Sequence, residues 1–378
     1  MSRLKPQNMK MTFLPAVLVA ASTANLAQAE APHFQSGKLA VLRAGDGQVP
    51  QQLKQAPIFI DQFDPANFNG APSLSVAIPT NGANAFFFNS HAATEGVLTR
   101  SEDGRKLVFA GYGGVNLLEK PGVPSLLEIP RGFCTVDAAG TVQTLLYHPD
   151  PSSEKMNPRG AVSDGGGQFW GCGNAGATLF YSAGDKAPME FSSVPNTRAM
   201  KIINHVLYAT LNGPDALAID NAAGIYQFVD SAGKVVSLPQ QAGANIRLVV
   251  PAAKDYVKIS GFDMNPDQTV AYLADTAAGI QKYVKAGTDW KLAYKFDIPQ
   301  NIPAADNHAA GCFGLKVDFS GPAPVIYATT TEGYDGTVNS NRVVRIVDTN
   351  ANAVVSTVAQ SPSANIAFRG IDFTPEAH

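Results

Sequence analysis

Short stretches in which apolar and polar residues alternate recur along the chain, separated by turn-forming residues. Six of them share one form: glycine or alanine holds the second position, and apolar residues alternate from there. They are EGVLT (95–99), RGAVS (159–163), RAMKI (198–202), SGFDM (260–264), FGLKV (313–317) and RGIDF (369–373). Alternation of this kind predicts half-buried β-strands, and its recurrence predicts an internal structural repeat.

Further strand patterns follow each of these first strands. Second strands are predicted at KLVFAGY, QFWGCG, VLYATL, TVAYLAD and VIYATTT. Third strands are predicted at GIYQFVDS, GIQKYVKAG and NRVVRIVDTN, and fourth strands at VQTLLYH, KVVSLPQ, WKLAYKFDI and VVSTVAQ. The pattern therefore predicts a four-stranded unit that is repeated five times.

A sixth unit is incomplete at both ends of the chain. KLAVLRAG, APIFIDQF and SLSVAIP come early and lack a first strand, whereas RGIDF is a first strand with nothing after it. Joining the two fragments closes a ring of sheets and removes its exposed edges. We expect an all-β, six-bladed β-propeller closed by pairing of the N- and C-terminal strands. Seven blades are the alternative, if a weak unit lies between Pro79 and Ala93 or between Gln240 and Lys258.

The N-terminal segment has the pattern of a secretory signal. Arg3, Lys5 and Lys10 precede the apolar run MTFLPAVLVAAS, and AQA at 27–29 matches a small-residue cleavage site. The apolar run is well short of the ~20 residues that span a bilayer, so we expect no transmembrane anchor. We predict a signal peptide at 1–29, a single propeller domain at 30–378, and a periplasmic or secreted protein.

Composition agrees with many short strands and excludes some partners. Among 378 residues there are 34 glycines and 26 prolines, and only 16% of residues are charged. The net charge of −3 gives no basic field for nucleic acid. Three cysteines, Cys134, Cys172 and Cys312, leave two alternatives: one disulfide with one free thiol, or three buried, inert thiols, which we expect.

The residue before the glycine or alanine of each first strand is the main candidate for function. First strands line the central channel of a propeller, so these positions form a ring. In blade order they are Glu95, Arg159, Arg198, Ser260, Phe313 and Arg369. Buried guanidinium groups need a partner or an anion, and their fork geometry suits carboxylate, phosphate or sulfate. The alternatives are a ligand site at the channel mouth and a water-filled structural network between Glu95 and the arginines.

Two loop histidines are candidates for proton transfer. His308, in DNHAAGCFG, and His91, in FNSHAATEG, each precede a first strand and can overhang the same mouth as Glu95. Together with Glu95, Asp306 and Asn307 they can also form a metal site, depending on tertiary geometry. The sequence contains no nucleophile elbow, zincin motif, phosphate-binding loop or EF-hand spacing.

The terminal sequence FRGIDFTP is similar to a signature of uncharacterised secreted or periplasmic β-propeller proteins. In architecture the chain also resembles six-bladed propellers of the gluconolactonase and senescence-marker type. That resemblance implies one divalent cation in the channel, held by a glutamate, asparagines and an aspartate. Glu95 matches the glutamate by position, whereas Arg159 and Arg198 stand where neutral or acidic ligands are needed.

Three functions remain open from the sequence. The first is a monomeric, exported propeller that binds a small anionic molecule or an acidic glycan through Arg159, Arg198, Arg369 and Ser260. The second is a hydrolase or lyase, lactonase-like or esterase-like, in which His308, His91 and Glu95 are catalytic. The third is a protein-interaction scaffold in the cell envelope, which predicts an exposed apolar patch.

Overall fold

The structure is a computed structural model and describes eleven stretches of the chain. They are residues 33–48, 55–89, 94–113, 129–148, 157–174, 178–194, 196–212, 222–254, 258–301, 310–332 and 341–377. Regular secondary structure within these stretches consists of β-strands. No helix among them has the length and hydropathy needed to cross a membrane. The predicted signal peptide at 1–29 lies outside the described residues.

The described strands are numbered here in chain order. The first nine are β1 (Leu39–Ala44), β2 (Gln55–Ala56), β3 (Ile58–Phe63), β4 (Leu74–Ala77), β5 (Phe86–Asn89), β6 (Thr99–Arg100), β7 (Lys106–Gly113), β8 (Arg131–Asp137) and β9 (Val142–Tyr147). The next eight are β10 (Pro158–Ser163), β11 (Gln168–Gly173), β12 (Thr178–Ser182), β13 (Met189–Ser192), β14 (Thr197–Ile203), β15 (Val206–Leu211), β16 (Gly224–Val229) and β17 (Asn245–Pro251). The last nine are β18 (Ile259–Met264), β19 (Val270–Asp275), β20 (Gly279–Ala286), β21 (Asp289–Phe296), β22 (Cys312–Asp318), β23 (Val325–Thr330), β24 (Arg342–Val347), β25 (Val355–Gln360) and β26 (Ala367–Phe373).

These strands form six antiparallel sheets arranged as the blades of a six-bladed β-propeller. In order from the inner strand outwards, blade 1 is β26-β1-β3-β4, blade 3 is β10 to β13, blade 4 is β14 to β17, blade 5 is β18 to β21 and blade 6 is β22 to β25. Blade 2 contains β5 to β9, with β2 paired to β5. The inner strands β6, β10, β14, β18, β22 and β26 contact one another in that order, and β26 contacts β6 again, so the ring closes. The prediction of six blades is confirmed.

Blade 1 is the blade that combines the two ends of the chain. The last strand, β26, pairs with β1 in antiparallel register, with Leu39 opposite Phe373 and Val41 opposite Ile371. The pairing continues past the strand, because the Thr374 N–H donates to the Lys38 carbonyl at 3.0 Å. The predicted joining of the terminal strands is therefore confirmed.

The inner strand of blade 2 differs from the prediction. The expected strand EGVLT is divided: β5 and β6 both pair with β7, and only Thr99 of EGVLT belongs to β6. Gly96 has φ of +93°, in the left-handed region where a strand is interrupted. Consequently, part of the segment between Pro79 and Ala93 supplies half of this inner strand and does not form a seventh blade.

The fourth strand of blade 4 was also predicted at the wrong place. KVVSLPQ contributes only an isolated bridge between Val229 and Val235, and the edge strand is β17, within the segment 240–258. Pro239 lacks the N–H that a ladder needs, whereas β17 buries Ile246 and Val250 against the neighbouring strands. This segment therefore completes blade 4 and is not a hidden unit.

The hydrophobic core consists of separate clusters, several of which are formed between neighbouring blades. Trp170 of blade 3, for example, is fully buried with Phe180 and with Phe228 of blade 4. Its indole N–H donates to the Pro239 carbonyl at 2.7 Å, so the one polar atom of the ring is satisfied. Trp170 therefore contributes to the packing between blades 3 and 4.

The three cysteines are free and buried, in agreement with the expectation of inert thiols. Burial raises the pKa of all three thiols, in Cys172 to about 11. Because the thiolate is the reactive form, none of them has the character of a nucleophile or a redox sensor.

Candidate functional site

In five blades the pairing register of the inner strand is interrupted. The break lies at the candidate residue and the glycine or alanine that follows it. The register shifts around Arg159, Arg198, Ser260, Phe313 and Arg369. A β-bulge of this kind redirects backbone groups away from the ladder. Here four of the carbonyl oxygens accept hydrogen bonds from a neighbouring blade. The acceptors and donors are Arg159 O from Val97 N (3.1 Å), Ser260 O from Thr210 Oγ1 (2.8 Å), Phe313 O from Ser260 Oγ (3.1 Å) and Arg369 O from Thr329 Oγ1 (2.5 Å).

In three of these blades the glycine after the bulge residue lets neighbouring inner strands touch. A Cβ added to Gly370 would lie 2.1 Å from Leu98 N, and one added to Gly314 would lie 2.6 Å from Arg369 O. A Cβ on Gly261 would likewise lie 2.6 Å from Phe313 O. The described inner strands leave a cavity of only about 10 Å³ at this level, which is room for about one water molecule. The predicted central channel is therefore closed at this level, and the axis has two separate ends.

Glu95 lies buried at the end of the axis where the inner strands begin. Its Oε2 accepts the Asn89 N–H at 2.8 Å, and its Oε1 lies 3.2 Å from the Tyr112 hydroxyl. Burial raises the pKa of Glu95 from 4.5 to about 8, although these two contacts and the positive charges of Arg369 and Arg159 act in the opposite direction. Glu95 is therefore mainly protonated at pH 7.

Tyr112 can form a hydrogen bond with Glu95 in either protonation state of the carboxyl group. Its hydroxyl oxygen also lies 3.0 Å from Asn157 Oδ1. When Glu95 is ionised, the phenol can donate to the carboxylate; when Glu95 is protonated, the phenol can accept its proton and donate to Asn157. Tyr112 itself stays protonated, because burial and the nearby Glu95 carboxylate raise its pKa.

Arg159, whose charge acts on Glu95, is held by hydrogen bonds to residues on both sides of its own blade. Its Nε donates to Thr94 Oγ1 at 3.2 Å, and its Nη1 donates to Asn196 Oδ1 and to the Thr197 carbonyl. Arg369 is also buried, and its Cβ lies 3.0 Å from the position a Cβ on Gly96 would take. Arg198 is half-buried in the next blade, near Arg159: both charges act on the thiol of Cys172. We call Glu95, Arg159, Arg198 and Arg369 the arginine end.

The remaining predicted site residues divide into two groups. Ser260 donates its hydroxyl to the Phe313 carbonyl, and Phe313 packs in a core cluster with Phe262, so both contribute to packing between blades 5 and 6. A role of Ser260 toward a ligand stays a prediction. His91 and His308 lie outside the described residues.

The opposite end of the axis carries a second set of charges that the sequence analysis missed. Three residues after the bulge position, four consecutive blades present Lys201, Asp263, Lys316 and Asp372, with alternating sign. We call these four residues the lysine–aspartate ring. The signal was present in RAMKI, SGFDM, FGLKV and RGIDF, which all have a charged residue in fourth place. It was overlooked because only the residue before the glycine was compared between units.

Ion pairs connect the members of this ring around the axis. Asp263 Oδ2 lies 3.4 Å from Lys201 Nζ and 3.7 Å from Lys316 Nζ, and Asp372 Oδ1 lies 3.2 Å from Lys316 Nζ. The Lys316 ammonium also lies 5.6 Å from the ring centre of Phe373. A cavity of about 250 Å³ opens at this end and includes all four residues in its lining.

The divalent cation implied by the architectural resemblance does not fit the donors at the arginine end. Glu95 is its one carboxylate among the described residues, is held mainly protonated at pH 7, and has guanidinium groups within electrostatic reach. In the part of the chain that the structure describes, no three His, Cys, Asp or Glu side chains form a group able to hold a metal ion.

No family model matches the chain, and no curated protein matches it. Among solved structures it is similar to one described as the crystal structure of glucose dehydrogenase, with a TM-score of 0.40 and 10% identity over 83% of this chain and 98% of that one. It is also similar to the β-propeller domain of the Trilobed protease from Pyrococcus furiosus, described as having an open velcro topology, with a TM-score of 0.39 and 10% identity over 86% of this chain and 83% of that one. Both are propeller proteins.

Proposed function

We propose that the chain is an exported, monomeric β-propeller that binds a small anionic molecule, or the acidic group of a glycan, at the arginine end. The feature that supports this function best is the burial of Glu95, Arg159 and Arg369 at one end of the axis, where burial raises the pKa of Glu95 to about 8 and so favours its neutral form. An ionised Glu95 competes with an external anion for the guanidinium charge, whereas a protonated Glu95 does not. Carboxylate, phosphate and sulfate are the groups that the arginine fork recognises.

The pH dependence of anion binding follows from the charge of Glu95 beside the two arginines. Below pH 8 Glu95 is protonated, and the positive potential of the arginines acts on the ligand. Above pH 8 the carboxylate forms, cancels part of that potential and repels the ligand. Anion affinity should therefore be highest below pH 8 and decrease as the pH rises through 8.

Calorimetric titration with acetate, inorganic phosphate, sulfate and oligogalacturonate tests this proposal. Arg198→Ala removes a half-buried guanidinium group without opening the core. Arg159→Lys keeps the positive charge but loses the fork geometry of arginine. Each variant should weaken anion binding at least about tenfold, as expected for the loss of a hydrogen bond to a charged group. Arg105→Ala, whose side chain is 54% exposed, is the matched control and should bind like the wild type. If no anion in this panel binds, or if both site variants bind like the control, the proposed site is wrong.

A hydrolase or lyase is the second candidate function, and the pKa of Glu95 supports it too. A carboxyl group with a pKa of about 8 suits general acid–base catalysis near neutral pH. Tyr112 bridges Glu95 and Asn157 and can take part in proton transfer. If a ligand found by titration is also converted to a product, Glu95→Gln should abolish turnover and keep ligand binding. The variants His91→Ala and His308→Ala then show which loop histidine acts together with Glu95.

An envelope scaffold has less support, because it requires a continuous apolar patch. The large hydrophobic side chains that are exposed among the described residues are Phe68, Met189, Leu292 and Val354, and they belong to blades 1, 3, 5 and 6. Single exposed hydrophobic residues are normal on a protein surface. Export itself is tested by mass spectrometry of the protein from the periplasm or medium, which should begin near Glu30.

A further inference from the structure

The cavity at the lysine–aspartate ring is separate from the arginine end and has its own chemistry. It holds about 250 Å³, slightly below the usual range for pockets that bind drug-sized ligands, and lies where the inner strands end. Its lining combines the charged ring with Met264, Pro266 and Phe319. It is therefore both charged and partly apolar.

The two aspartates of the ring are already used by the fold. Asp372 accepts the N–H of Phe373 at 2.8 Å and that of Arg100, in blade 2, at 3.0 Å. Asp263 likewise accepts the N–H of its neighbour Met264 at 3.1 Å and that of Val317, in blade 6, at 2.9 Å. Each carboxylate thus joins two neighbouring inner strands, and main-chain donors take two of its roughly four acceptor positions.

The two lysines retain donor capacity. Lys201 Nζ donates to the Leu315 carbonyl at 3.0 Å and contacts Asp263, while Lys316 Nζ contacts Asp263 and Asp372. An ammonium group has three N–H donors, so each lysine has one donor without a partner among the described residues. The Lys201 side chain is only 9% exposed, which makes an unpaired donor there costly unless something accepts from it.

The electrostatics of Lys201 agree with a missing acceptor. Burial lowers the pKa of Lys201 despite the opposing charges of Asp263 and Asp372, with Lys316 adding to the decrease. Lys316 differs, because the same two aspartates outweigh its burial and raise its pKa. Lys201 is thus the under-compensated cation of the ring, and an anion beside it would stabilise its charge.

We propose that this cavity binds a small organic carboxylate, with the carboxylate group between Lys201 Nζ and Lys316 Nζ. A short apolar tail then lies against Met264, Pro266 and Phe319. The apolar part of the lining favours a carboxylate with a hydrocarbon tail over a fully hydrated phosphate. This site is independent of the arginine end, because the closed axis separates the two.

Titration of the full chain with propionate, and in parallel with inorganic phosphate, tests the proposal. Because the arginine end is also expected to take carboxylates, the titration is done in Arg198→Ala as well as in the wild type. In Arg198→Ala propionate should still bind at the lysine–aspartate ring with unchanged affinity, and adding Lys201→Met should weaken that binding at least about tenfold. Lys316→Met should act in the same direction; if that variant fails to fold, because Asp263 and Asp372 lose a shared partner, Lys201→Met decides alone. The control Lys186→Met changes an exposed lysine outside both ends and should have no effect.

Nitrogen-15 NMR of the lysine ammonium groups gives a second readout, in which propionate should shift the Lys201 Nζ signal. The proposal is overturned if propionate does not bind, or if adding Lys201→Met to Arg198→Ala leaves propionate binding unchanged. It is also overturned if phosphate binds more tightly than propionate in a way that depends on Lys201. Propionate binding that is lost in Arg198→Ala instead assigns the ligand to the arginine end and rejects this second site.

Discussion

The two ends of the propeller axis carry buried carboxyl groups in opposite states. Glu95 at the arginine end receives one main-chain N–H and one phenol contact, and burial raises its pKa to about 8. Asp372 in the lysine–aspartate ring receives two main-chain N–H bonds and the Lys316 ammonium, which outweigh burial and lower its pKa. Both groups are buried, so the charges of Lys316 and Lys201 and the main-chain donors around Asp372 decide the difference.

This difference separates an end of the axis that holds neighbouring blades together from the end at which we propose ligand binding. Asp263 and Asp372 remain ionised acceptors that join neighbouring blades, so their charge serves closure of the ring. Glu95 is mainly neutral near pH 7, so its carboxyl group contributes little negative charge beside Arg159 and Arg369. The same five-residue repeat therefore produces two kinds of site, three residues apart along one strand.

The separation of the two ends depends on glycines at the axis. Gly370→Val places a side chain 2.1 Å from Leu98 N, a main-chain atom that cannot yield without opening the ring. We expect a loss above the ~3 kcal/mol at the upper end of ordinary overpacking, and little soluble protein. Gly321→Ala, with its nearest neighbour at 3.6 Å, should be neutral. Urea unfolding compares the two; equal midpoints would mean that the inner strands do not touch.

Glu95→Gln should alter the pH dependence of stability. Because the folded pKa of Glu95 is raised, the folded state binds the proton more tightly, and its contribution is fully present below pH 4.5. Stability is then lost as pH rises from 4.5 to 8, by roughly 4 kcal/mol. Glu95→Gln should lack this loss and exceed the wild type at pH 9 in chemical denaturation. Parallel pH profiles for the two proteins would contradict the neutral state of Glu95.

Asp372→Ala should destabilise the protein by roughly 3 kcal/mol at pH 7, because two main-chain N–H groups lose their acceptor and Lys316 loses the nearer of its two aspartate partners. Since the pKa of Asp372 is lowered, its contribution is present above the unfolded pKa and is lost as pH falls through the folded value. The wild type should therefore approach the variant in acid. Asp297→Ala, an exposed partner of Lys295, is the control and should change the unfolding midpoint little. If the unfolding midpoint of Asp372→Ala is as close to that of the wild type as the midpoint of the control is, Asp372 does not help to close the ring of blades.

The smallest effect is expected at the rim of the lysine–aspartate ring. Arg100 and Glu376 form an ion pair at 3.2 Å, and the Glu376 side chain is 57% exposed. Solvent screens such a pair, so Glu376→Ala should cost less than about 1 kcal/mol in thermal or urea unfolding. A loss as large as that of Asp372→Ala would show that the rim, and not the ring, closes this end.

Most of the fold was predictable from sequence because each blade repeats one pattern of alternation and glycine. The errors lay where local chemistry interrupts that pattern: the left-handed Gly96 divides an inner strand, and Pro239 prevents KVVSLPQ from being an edge strand. The closed axis was not predictable, because it depends on distances between glycines that are far apart in sequence.

The site was predictable only in part. The sequence placed Glu95, Arg159 and Arg369 near one another, and the structure brings their charges within electrostatic reach. It gave no indication that Glu95 is neutral, since that depends on burial and on Tyr112, which follows in another strand. The lysine–aspartate ring was visible in the repeats, but its function as an inter-blade contact depends on main-chain donors that no residue type reveals.

Carbon-13 NMR titration of the glutamate carboxyl groups, with Glu95→Gln to assign the signal, tests the central claim most directly. The Glu95 carboxyl should titrate near pH 8, and an anion that binds at the arginine end should move this midpoint upwards, because the ligand prefers the protonated form. A midpoint near 4.5 that no anion displaces would contradict the account.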